Sequence, residues 1–142
     1  MSGPSVSRED LLAEWNGCGY YRLVGMEVTR ADEECAEFRI EVTDEHLQAY
    51  GTAHGGILAG LIDAAMGLAI LGRGVPGEGC ATVEMKLNFL APAFPGVLTA
   101  TGVVIHAGRR TVVARAEARD ADGGLVAAGM GTFQRIPPPA AT

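Results

Sequence analysis

Apolar and polar residues alternate most regularly early in the chain, where Ala36, Phe38, Ile40 and Val42 are separated by Glu37, Arg39 and Glu41. This period of two predicts a strand with one buried face. Residues 23–29 show a weaker version and are read as the strand before it. Ahead of both, Ser7 stands before residues 8–15, with Glu9 and Asp10 in the first turn, where negative charge suits the free N–H groups. A short capped helix is expected there, stopped at Asn16-Gly17.

After a polar bend at Asp44-Glu45-His46 the pattern changes to an almost continuous apolar run, HGGILAGLIDAA and beyond. It predicts a helix starting near His54 to Gly56 and ending at the glycines of Gly72-Arg73-Gly74. A helix apolar on nearly every side must be wrapped on several of them, which one flat sheet does not do. Strands are expected next over residues 83–89, 96–105, 111–119 and 125–135. In the first of these, Val83, Met85, Leu87 and Phe89 face one way and Glu84, Lys86 and Asn88 the other. Ala107-Gly108-Arg109 and Asp122-Gly123-Gly124 supply the hairpin turns, and Pro137-Pro138-Pro139 ends the set. The expected architecture is α+β: a short helix, two strands, a buried central helix, then an antiparallel meander curled round it.

Length and charge narrow this picture. The 142 residues fit a single domain over 1–142, with an ordered core over about 12–135 and flexible tails at 1–7 and 137–142. The net charge of −6 and the absence of a basic cluster longer than Arg109-Arg110 argue against nucleic acid or an anionic membrane surface as the partner. The apolar run of residues 57–71 is shorter than the about 20 apolar residues of a membrane-spanning helix, and it carries Asp63. No secretory leader pattern opens the chain, and Cys18, Cys35 and Cys80 lack metal or redox spacing, so a reducing, cytoplasmic setting is expected.

Several motifs fail on context. Gly72-Arg73-Gly74-Val75-Pro76-Gly77 has the G-x-G-x-x-G spacing but follows a helix, where a dinucleotide site requires a preceding strand. His46 beside Asp44 and Glu45 reads as a solvated loop, because neighbours in a bend do not converge on one ion. No hydroxyl sits in a G-x-S-x-G elbow.

The helix start is different. Gly55 and Gly56 permit close approach of a ligand, and free N–H groups at the positive end of a helix dipole suit a developing oxyanion. His54 stands beside them, as a cap or a site residue. Asp63, alone in its apolar run, suits a nucleophile or a general base for water; the alternative is a structural acceptor. Gly55 and Asp63 are separated by about 12 Å along the axis at a rise of about 1.5 Å per residue. One carbonyl cannot touch both, so a shared reaction demands Gly55 from one chain and Asp63 from another, most simply in a two-fold dimer.

These features together resemble the hotdog-fold acyl-CoA thioesterases, in particular the branch named for phenylacetic acid degradation. The resemblance is carried by Gly51-Thr52-Ala53-His54-Gly55-Gly56, by Asp63, by Asn88-Phe89-Leu90-Ala91-Pro92-Ala93, and by Gly108-Arg109-Arg110 before two long strands. It implies a curled antiparallel sheet round the central helix, in dimers that associate further into tetramers. It also implies hydrolysis of an acyl-CoA, with an aromatic acyl group such as phenylacetyl as the expected substrate, and no metal or other cofactor. By the same resemblance the Gly55 N–H polarises the carbonyl and Asp63 of the facing subunit attacks or activates water. Gln48 then positions substrate or water, at a place where many members carry Asn, and Thr82 orients water. His54, Gly56 and Asn88 belong to the substrate-binding set. Arg109 and Arg110 suit the CoA phosphates, since guanidinium groups match phosphate oxygens; the alternative is an ordinary charged hairpin turn. The alternatives are a non-catalytic acyl-CoA-binding or scaffolding protein of this fold, and a dehydratase.

Overall fold

The computed structural model describes residues 8–140, so Ser7 and the tail residues 1–7 and 141–142 lie outside the described residues. Helices α1 (Arg8–Asn16) and α2 (Gly19–Val24) precede strands β1 (Met26–Ala31) and β2 (Ala36–Val42). A short 3-10 turn at Asp44–His46 leads to α3 (Gly55–Leu71). Strands β3 (Gly79–Phe89), β4 (Gly96–Ala107), β5 (Thr111–Arg119) and β6 (Leu125–Ile136) follow.

All six strands form one antiparallel sheet in the order β1-β2-β4-β5-β6-β3. Every strand touches α3, so the sheet curls round the helix as its apolar circumference requires. The lining is cut small to let it in: Ala100, Ala114, Ala116, Ala118 and Ala127 are buried toward the helix side of the sheet. Closest approach falls at Gly102 of β4, where a Cβ would overlap the Ala65 carbonyl and stand 2.9 Å from the Met66 nitrogen. Only glycine allows helix and strand backbones to meet there. Phe38, Phe133, Leu61, Ile62 and Met66 fill the remaining space, each gaining about 1.5–3 kcal/mol from leaving water.

Three expectations change. Residues 23–24 belong to the end of α2, which Gly25 terminates in a left-handed conformation (φ 87°), so the first strand begins only at Met26. The reason is tertiary: Tyr21 locks the short helix down by stacking edge-on against Phe38 at 5.1 Å. Second, β3 does not join the meander of β4, β5 and β6 but pairs with β6 at the sheet's far edge. A bulge between Thr82 and Glu84 breaks its alternation, and Val83 and Phe89, expected on one face with Met85 and Leu87, are 62% and 56% exposed. Third, Pro138 is not a free tail, since it lies against Gly77 of the α3–β3 loop.

The two sheet edges differ. The Asn16 side chain accepts from the Val28 N–H at 2.8 Å and donates to its carbonyl at 3.3 Å, so the β1 edge is occupied. Nothing among the described residues covers the outer edge of β3.

Candidate active site

The start of α3 is built by its own sequence and by one histidine upstream. His54 caps the helix: its Nδ1 accepts the Gly56 N–H at 2.8 Å. That leaves the Gly55 N–H, at the first helical position, without a partner among the described residues. His46 is no solvated loop residue. Half-buried, it accepts the Thr43 N–H on Nδ1 at 2.9 Å and donates from Nε2 to the Val24 carbonyl at 2.7 Å. Its own carbonyl takes the His54 N–H at 2.9 Å, so it ties α2 and the end of β2 to the α3 cap. Adjacent acidic residues in the sequence concealed that role.

Gly55 opens on a cleft of about 330 Å³ lined by Thr52, Leu58, Phe89, Leu90, Pro92 and Ala93, among others. Strand periodicity groups Phe89 with Val83, Met85 and Leu87 on one face of β3. Its ring lies so close to Gly55 that a Cβ there would be 3.3 Å from Cζ. Gln48 shapes the neighbouring loop. It donates from Nε2 to Thr52 Oγ1 at 2.7 Å and accepts the Tyr50 N–H at 2.7 Å. One amide N–H remains available.

Asp63 sits on the same helix two turns on, half-buried, accepting a hydrogen bond from Thr82 Oγ1 at 2.7 Å. The β3 bulge directly after Thr82 marks the point where the strand's alternation is reset beside this contact. Oδ2 is then the carboxylate oxygen left without a partner among the described residues. Its charge is felt nearby. Burial pushes the Cys80 thiol up to about 11, with the negative charges of Asp63 and Glu78 adding to it. Burial likewise holds Tyr21 up at about 12, with Cys18 and Asp63 contributing. Both groups are neutral near pH 7 and are unsuited to act as nucleophiles there.

Other members of the expected set lie apart. Asn88 projects from the opposite face of β3 to Phe89 and accepts from Lys86 Nζ at 2.9 Å. Gly56 is exposed, its amide spent on the cap. Arg109 and Arg110 stand exposed in the β4–β5 turn, which Arg135 braces through the Gly108 carbonyl at 3.1 Å and the Arg110 carbonyl at 2.8 Å. Arg135 in turn pairs with Glu78 at 2.9 Å. This turn lies by the start of β3, at the end of the sheet away from Phe89 and Gly55.

A single chain therefore holds two features at opposite ends of β3: an open N–H with a cleft beside Phe89, and a carboxylate held by Thr82.

Known proteins share this framework. The sequence model of the Thioesterase superfamily matches residues 50–127, which include Gly55, Asp63 and Thr82. The acyl-coenzyme A thioesterase PaaI of Escherichia coli K12 is 32% identical over 114 residues, covering 80% of this chain and 78% of that one. A putative esterase of Saccharolobus solfataricus is 32% identical over 113 residues, 80% of each chain. Among solved structures, the E. coli PaaI protein from the phenylacetic acid degradation operon superposes with a TM-score of 0.83 at 28% identity, over 92% of this chain and 93% of that one. A conserved protein of Pseudomonas aeruginosa gives 0.82 at 34% identity, over 87% and 98%.

Proposed function

The chain belongs to the thioesterase superfamily, as a PaaI-like hotdog thioester hydrolase, and from that premise we propose that two copies join to hydrolyse an acyl-CoA. The observation that carries this is the separation of the half-sites along one uncovered strand. If two β3 edges pair antiparallel about a two-fold axis between Met85 and Lys86, Phe89 of one chain comes opposite Thr82 of the other. Gly55 beside Phe89 then faces the Asp63 that Thr82 holds.

In that composite site the thioester oxygen sits on the Gly55 N–H, where charge developing on it meets the positive end of α3. Asp63 acts from the opposite protomer. As base, it takes a proton from water while the hydroxide adds to the carbonyl; as nucleophile, it adds directly and water later frees the acid. Either route expels the CoA thiolate, which takes up a proton as thiol. Thr82, bonded to Oδ1, leaves Oδ2 to react. Gln48 keeps the loop before His54 in shape and offers its remaining N–H to substrate or water. The acyl group is aromatic, of the phenylacetyl kind, in keeping with the similarity to PaaI of the phenylacetic acid degradation operon.

The decisive experiment mixes two dead variants. Gly55→Pro removes the N–H and Asp63→Asn removes the carboxylate. A hybrid dimer has one site with both groups intact and one with neither. Random re-pairing makes half of the dimers hybrids, so activity returns to about a quarter of wild type. A mixture that stays inactive after re-pairing places both groups of each site in one chain and ends the two-chain reading.

The turn arginines give a second expectation. Neither guanidinium has an ion-pair partner among the described residues, which leaves both free for phosphate oxygens. Neutralising Arg109 and Arg110 together raises KM for a CoA ester by about 10-fold with kcat little changed, since charge-assisted bonds to a remote part of the substrate are lost. An unmoved KM removes them from the site.

A further inference from the structure

A carbonyl held at the Gly55 N–H carries the sulfur arm of CoA on one side and the acyl group on the other. The cleft of about 330 Å³ beside that N–H suits only the second. Among the described residues no charged side chain lines it, and Leu58, Phe89, Leu90, Pro92 and Ala93 present carbon. The Leu90 and Ala91 N–H groups are spent on the Val126 carbonyl, and the Ala53 N–H on the Ala93 carbonyl at 2.7 Å, a bond that also ties the cleft's two loops together. Amides of the pantetheine arm would give up water here for few partners, whereas an apolar acyl group gains by leaving it. The arginine turn suited to the CoA phosphates lies at the other end of β3.

Phe89 walls this cleft next to the N–H. Its cross-strand partner Ala127 is fully buried, and such partners share a face, so the ring leaves β3 on the side of α3. There it meets only the first residue of the helix, with no earlier turn to cover it, which is why it stays half in solvent. From a Cβ at residue 55, Cζ would be nearest, at 3.3 Å, and the two Cε atoms farther, at 3.5 and 3.8 Å, so the ring points tip-first at Gly55. The amide nitrogen is about 2.5 Å from that Cβ position by standard geometry, which puts the ring tip within about 6 Å of it. A group running from the carbonyl into the cleft passes against the ring.

We propose that Phe89 is a specificity-determining residue of the acyl site: its ring walls the cleft beside the oxyanion N–H and favours an aromatic acyl group over an aliphatic one. The assignment rests on the acyl-CoA hydrolase reading above and adds to it where the acyl group lies and which side chain selects it. Aromatic pairs in edge-to-face or offset contact gain more than their buried area supplies, enough for a preference of about 3- to 10-fold.

The test measures kcat/KM by thiol release from phenylacetyl-, benzoyl-, butyryl- and hexanoyl-CoA with wild type, Phe89→Leu and Phe89→Tyr. Phe89→Leu lowers the phenylacetyl-to-hexanoyl ratio by about 3- to 10-fold. Phe89→Tyr keeps a ring and with it the ratio. Loss of so exposed a side chain opens no core cavity, and Phe89→Met carries the same expectation should the leucine variant not fold. Structural damage, or contact with the CoA arm that all four esters share, lowers every rate alike. An unmoved ratio with wild type active therefore overturns the role of Phe89 alone. No thiol release by wild type from any of the esters overturns the hydrolase reading and this assignment with it.

Discussion

Replacing Asp63 by Asn lowers kcat by about 10² to 10⁴, the range for losing a positioned acid–base group or nucleophile. The substitution suits the question because Asn keeps the shape and an oxygen for Thr82 Oγ1, now at 2.7 Å from the carboxylate. Only the negative charge and the reactive oxygen go. KM changes little, since Asp63 holds no remote part of the substrate. Folding is unharmed: a neutral amide in an otherwise apolar helix is easier to desolvate than a carboxylate. Steady-state thiol release with a thermal melt alongside checks both statements. Near-normal turnover would make the carboxylate a structural acceptor for Thr82 and nothing more.

Gly55→Pro lowers kcat by about 10² to 10³, the cost of removing one oxyanion donor. Proline is usable here for a specific reason. Residue 55 is the first of α3, where the missing N–H costs no helical bond, and His54 already has the extended backbone (φ −59°, ψ 139°) that a residue before proline requires. Gly55→Ala is the control. It keeps the N–H and adds only a methyl near the Phe89 ring, which is exposed enough to move aside. Activity of the alanine variant stays within about tenfold of wild type, well above the proline variant. Equal activity of the two would show that the N–H is not used.

Much of the fold was legible because its signals are local. The period-two run of residues 36–42 is β2 with every apolar position buried, and the apolar run from residue 55 is α3 to its last residue. The lone carboxylate and the paired glycines also stood out in sequence, since each breaks the pattern around it. Phe89 did not. An aromatic at an inward strand position reads as core, and only the placement of β3 at the edge, beyond the bulge, puts Phe89 beside Gly55. The role of His46 is hidden for a similar reason: its partners, Val24 and Thr43, come from separate elements.

The sequence by itself determined the elements, the need for a sheet that curls, and the spacing that forbids Gly55 and Asp63 from sharing a substrate within one chain. Those follow from periodicity and helix rise, which depend on neighbours along the chain. Tertiary structure alone decided which strand is left as an open edge, and that Thr82 grips Asp63 while Phe89 abuts Gly55. These are contacts between distant segments, fixed by how the sheet closes on α3.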